Sequence, residues 1–173
     1  MAPALRLKEL TGIENLFLRQ FYAFGDLHRY HPQRVITIAY FALVKISDYK
    51  LNVVEDAMEC CWISVNNLPE LPFDQFTILQ VGLNTLRERV KMEPIVFNLL
   101  PEKFTISELQ NVYEAILEKK FDKRNFRKKM VKMNILIDTN LKQKNVSHRA
   151  ANLYKFDAKN YQKLLNRGFR FDL

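Results

Sequence analysis

The sequence predicts an α+β protein in two parts, residues 1–92 and 93–173, and three observations carry that reading. In the first part, β-branched and aromatic runs alternate with helical spacing. In the second, two helical patterns joined by a short turn precede a pair of strands. Charge separates the two parts: residues 1–90 hold 9 Lys and Arg against 10 Asp and Glu, whereas residues 91–173 hold 18 against 9, so the net charge of +8 lies in the second. With 173 residues, 48% of them hydrophobic, the chain can bury a real core.

Residues 1–19 open with a helical pattern through Leu5, Leu7 and Leu10 that stops at Thr11-Gly12, where glycine tolerates the left-handed conformation that ends a helix. Residues 34–45, with Val35, Ile36, Ile38, Tyr40 and Phe41, read as a buried strand, and residues 59–65 around Trp62 as another. The connection from Asn66 to Pro72 is rich in turn residues. Helical spacing returns from Phe73 to Lys91 through Phe76, Leu79, Leu83 and Leu86.

Pro94 and Pro101 bracket a short apolar linker, and the domain boundary is set there. Thr105-Ile-Ser-Glu108 fits a capping box, so a helix starts at that point. Ile106, Leu109, Tyr113, Ile116 and Leu117 give it one apolar face. Asp122 caps a second helix over residues 123–134 after a very short turn, which makes a helix-turn-helix. A strand at 135–137, a polar loop at 138–144 and a returning strand at 150–156 complete the winged-helix order. The tail from Leu165 to Leu173 is expected to pack loosely.

In the second helix, Phe126, Met130 and Met133 fall on one narrow apolar stripe, and the cations fall elsewhere. That is what a DNA recognition helix requires, because one face must dock while the other enters a groove about 12 Å wide. Arg124, Asn125, Arg127 and Lys128 are placed nearest to bases, since Arg and Asn can make paired hydrogen bonds to base edges. Lys123, Lys129 and Lys132 are assigned to phosphate, joined by Lys142, Lys144, His148 and Arg149 near the hairpin tip. The plainer alternative is a solvated basic surface and an ordinary polar turn. A sequence-blind RNA or anionic-membrane binder is also permitted by the charge, although no aromatic single-strand platform is evident.

Other classes are less well supported. No stretch reaches the roughly 20 apolar residues of a membrane span, and no signal-peptide pattern opens the chain, so a cytoplasmic location is expected. The adjacent Cys60 and Cys61 have poor geometry for a mutual disulfide and read as reduced, packed thiols. His28 and His31 lack a third ligand, so neither a metal nor a cofactor is expected.

Phe97-Asn-Leu-Leu-Pro101, the run from Phe104 to Leu117 and Asp122-Lys-Arg-Asn-Phe-Arg127 resemble the winged-helix part of the Nudix-related transcriptional regulators. Glu9-Leu-Thr-Gly12, Phe24-Gly-Asp26, Arg34-Val-Ile36 and Leu68-Pro-Glu-Leu-Pro-Phe-Asp74 resemble the latter portion of their Nudix-like domain. The resemblance implies a homodimeric regulator of a palindromic operator in double-stranded DNA. Its effector would be an ADP-ribose-like nucleotide or a sugar such as arabinose, bound around Phe24, Asp26, Arg29 and Arg34. Two departures stand out. The positions of the metal-binding helix hold Leu5, Arg6, Glu9 and Leu10, leaving a single carboxylate where a hard cation needs several, so hydrolysis is not expected. The first strands of the family's domain are also missing, as if the chain began inside the Nudix helix. The competing class is a Nudix-type hydrolase with a basic appendage.

Overall fold

In the computed structural model, residues 3–14, 16–29, 33–52, 59–144 and 150–173 are described. Contacts divide the chain into two compact units, Met1–Leu86 and Arg87–Leu173.

The first unit begins with helix α1 (Pro3–Thr11), which stops where the sequence placed the stop. Gly12 takes φ 72° and its N–H reaches the Lys8 carbonyl at 2.8 Å. Strands β1 (Arg19–Phe24) and β2 (Thr37–Phe41) form an antiparallel pair with Phe24 opposite Thr37 and a bulge between Gln20 and Tyr22. Helix α2 (Gln75–Met92) approaches β1 closely at Gly82. A Cβ there would lie 3.1 Å from the Phe21 ring, so only glycine allows that separation without adjustment.

Two strand expectations need correction. The apolar run at 34–45 yields a strand over only five residues, and of these Ala39 is buried while Ile38 is half exposed. In a two-stranded sheet alternate side chains point to opposite faces, and in this strand only Ala39 is buried. Residues 59–65 form no strand; Trp62, Ile63 and Val65 are exposed, because β-propensity creates a strand only where a partner edge is available. Both cysteines are free, but Cys61 is exposed rather than packed.

In the second unit the supposed linker is core. Pro94–Leu99 winds as a 3-10 helix that buries Val96 and Phe97, and the Phe97 ring stacks on Phe156 at 4.4 Å. Helix α3 (Ile106–Leu117) buries Ile106, Leu109, Gln110 and Tyr113. Its capping box forms as expected: the Glu108 N–H donates to the Thr105 hydroxyl at 3.1 Å, and the Thr105 N–H donates to the Glu108 carboxylate at 2.7 Å. Helix α4 (Lys123–Lys132) is capped by Asp122, which accepts the Asn125 N–H at 2.9 Å.

Strand β3 (Leu136–Lys142) pairs antiparallel with β4 (Asn152–Phe156). Most of the segment assigned to a polar loop is therefore strand. It carries a bulge between Asp138 and Leu141, where Asn140 sits at φ 57° and the Thr139 hydroxyl donates to the Leu153 carbonyl at 2.7 Å. On its other side β4 meets Phe104, whose N–H and C=O exchange hydrogen bonds with Tyr154 at 2.9 and 2.7 Å. Tyr154 thus lies in the middle of three paired segments.

The tail also departs from expectation. Helix α5 (Ala158–Asn166) is capped by Asp157 through the Asn160 N–H, and Phe171 beyond it is buried. The Leu173 N–H donates to the Lys91 carbonyl at 3.2 Å. Asp157 followed by apolar Tyr161 and Leu164 at helical spacing was the available signal for α5.

Candidate nucleic-acid interface

The joint between α3 and α4 is fixed by polar groups. Glu118 ends α3 in the left-handed conformation at φ 51°. The Glu114 carboxylate accepts from Gln110 Nε2 at 2.8 Å, from the Phe121 N–H at 2.9 Å and from Lys120 Nζ at 2.7 Å. The Gln110 amide also donates to the Phe121 carbonyl at 2.9 Å. These donors hold the Glu114 carboxyl down to about 2, the amide of Gln110 contributing most. The turn is thereby tied to α3 rather than left to solvent.

Helix α4 is held by the face the sequence assigned to docking. Phe126 and Met130 are buried, Met133 is half-buried, and the Phe126 ring meets Tyr113 and Phe121 at 5.9 and 5.6 Å. Lys123, Arg124, Asn125, Arg127, Lys128, Lys129 and Lys132 are all exposed. Among the described residues, two of these side chains have partners: Lys129 Nζ lies 3.6 Å from the Asp172 carboxylate, and Arg127 Nη2 donates to the Tyr154 hydroxyl at 3.2 Å. A basic, outward face on an anchored helix can meet phosphates and groove edges. Lys142 ends β3 opposite Asn152, and Lys144 is exposed beyond it. His148 and Arg149 lie outside the described residues.

In the first unit, two of the four effector candidates come together. Phe24 is buried, and the Arg29 guanidinium stands 5.4 Å from its ring centre. Arg29 also donates to both oxygens of Asp74, to the Phe24 carbonyl at 2.7 Å and to the Thr37 hydroxyl at 3.2 Å. Its hydrogen bonds hold the Asp74 carboxyl below the ordinary carboxylate range. Arg29 therefore works as a clamp joining the β1–β2 connection to the start of α2, a role the sequence reading missed because Asp74 is 45 residues away. Asp26 and Arg34 are exposed. A cavity of about 450 Å³ borders this clamp, with Val35, Phe73 and Ile78 in its wall.

On α1, Arg6 Nη1 donates to Glu9 Oε2 at 3.2 Å, so the remaining carboxylate of the metal-binding pattern already has a cationic partner. Among the described residues, no three His, Cys, Asp or Glu side chains gather in a metal-binding group. His28 is exposed and His31 lies outside the described residues. No described helix is long and apolar enough to cross a membrane.

Residues 96–156 match the NrtR DNA-binding winged helix domain. Over 158 residues the chain is 29% identical to the ADPR responsive transcriptional repressor NtrR of Acinetobacter baylyi, covering 90% of this chain. The chain spans 62% of the length of that curated relative. Among solved structures it resembles Shewanella oneidensis NrtR complexed with a 27mer DNA, at 26% identity and a TM-score of 0.66, over 98% of this chain and 76% of that one. Shewanella oneidensis NrtR alone gives 24% and 0.64 over the same shares. A MutT/nudix family protein from Enterococcus faecalis shares the fold at 21% identity and a TM-score of 0.67, over 88% of this chain and 66% of that one. Residues 96–156 are thus similar to the NrtR winged helix, and the fold is a part with a Nudix-like α/β arrangement followed by a winged helix-turn-helix part.

Proposed function

We propose that this NrtR-like chain is a DNA-binding transcriptional regulator whose operator affinity is set by a small effector. Residues 93–173 bind DNA, and residues 1–92 form a catalytically degenerate Nudix-like effector part. The observation that carries the reading is the exposed Arg124, Asn125, Arg127 and Lys128 on a helix anchored through buried Phe126 and Met130. Lys123, Lys129, Lys132, Lys142 and Lys144 supply phosphate contacts around it. Two copies related by a two-fold axis would present two such helices to a palindromic operator in successive major grooves.

The name of the Acinetobacter baylyi relative favours an ADP-ribose-like effector over a sugar. Asp26 and Arg34, exposed beside the Arg29 clamp, are the groups available to meet it. A gel-shift screen of promoter fragments with and without ADP-ribose tests the whole reading. Sequence-selective retention that changes with the nucleotide is the expected result. Weak retention of every duplex alike, unaffected by nucleotide, would refute it.

A second reading, a Nudix-type hydrolase with a basic appendage, draws support from the fold shared with the Enterococcus faecalis protein. The pairing of Arg6 with Glu9 weighs against it, because an arginine beside the one carboxylate opposes a divalent cation. Turnover of ADP-ribose with magnesium would favour this second reading.

A further inference from the structure

We propose that Tyr154 is a positioning residue for DNA reading: its hydroxyl, fixed by the central strand, holds the Arg127 guanidinium in the orientation from which it meets a base. The inference rests on the DNA-binding reading above and adds to it a residue that touches no DNA itself.

Tyr154 is held from both sides of its strand. Its backbone is hydrogen-bonded to Phe104 on one side, at 2.7 and 2.9 Å, and paired with Asp138 of β3 on the other. Its side chain is 7% exposed, so the ring cannot swing without disturbing the core. The hydroxyl at the end of that ring accepts Arg127 Nη2 at 3.2 Å. Among the described residues, Arg127 is the cation of α4 that is hydrogen-bonded to the sheet.

The chemistry of the guanidinium explains the use of such a contact. Arginine is only a donor, with five N–H groups in a planar fork, so one bond to tyrosine leaves four for a base edge or phosphate. A free arginine samples many rotamers and must give up that freedom on binding. One whose fork is already oriented loses less, and it discriminates better because a wrong base cannot be met by simple reorientation. Arg124 and Lys128, exposed and without such a bond among the described residues, adapt to either base or phosphate.

Tyr154→Phe removes the hydroxyl and keeps the ring. Fluorescence anisotropy with the selected operator, its single-base variants and a random duplex would compare the wild type, Tyr154→Phe, Arg127→Ala and the double variant. The expected result is a loss of about tenfold in discrimination at the base position that Arg127→Ala also affects, the scale of one hydrogen bond. Random-duplex affinity and salt slope should stay unchanged, since no cation is removed. The double variant should behave as Arg127→Ala alone, because the hydroxyl acts only through the arginine. Unaltered discrimination in Tyr154→Phe, or equal weakening on all duplexes, would overturn the proposal while the DNA reading stood. A wild-type protein with no sequence preference would overturn both.

Discussion

Glu114 accepts the backbone N–H of Phe121 at 2.9 Å, joining the last turns of α3 to the residue that leads into α4. Gln110 and Lys120 converge on the same carboxylate. The angle at which the basic helix is presented therefore depends on one ionised acid.

That dependence sets a pH response. Because the folded protein holds the Glu114 carboxyl down to about 2, below the ordinary glutamate value of 4.5, its stabilising effect is complete above pH 4.5. It is lost as the pH falls toward 2. Thermal melts of wild type and Glu114→Gln across that window should differ, with the wild-type midpoint falling more steeply. Parallel curves would mean that Glu114 is not the group being titrated.

Thr105→Ala removes the hydroxyl half of the capping box, since the Glu108 N–H loses its acceptor. Caps of this kind contribute about 1 kcal/mol. Urea denaturation should record a loss near that size, with the slope of the transition unchanged.

Tyr113→Phe should act in the opposite sense. Among the described residues the buried Tyr113 hydroxyl has no hydrogen-bond partner, and burial pushes its ionisation well above the ordinary tyrosine value. A buried, unsatisfied polar group costs about 1–3 kcal/mol, so deleting it should leave stability equal or raise it. Calorimetry showing a clear loss would point to an unrecognised partner of that oxygen.

Arg127→Ala and Lys132→Ala separate two roles on one helix. The first should cost about 1–3 kcal/mol at one operator position and little elsewhere. The second should weaken every duplex evenly and reduce the salt slope by about 0.9, the effect of one lost phosphate contact. Titrations on operator and random DNA at several salt concentrations provide the comparison. Equal losses from both changes on all sequences would erase the distinction.

What the sequence determined by itself lies where the relevant physics is local. The stop at Gly12, the capping box of Thr105 and Glu108 and the Asp122 cap each involve residues within about one helical turn, and the outward cations of α4 follow the helical period of a single segment. Only the tertiary structure decided the rest. Residues 59–65 have strand composition but no strand partner among the described residues, while Pro94–Leu99 is core because Phe156 comes back to stack on Phe97. Arg29 meets Asp74 across 45 residues and Arg127 meets Tyr154 across 27. A strand's pairing, a side chain's burial and a guanidinium's acceptor depend on groups brought near by the whole chain, and no periodicity along a short segment records which groups those are.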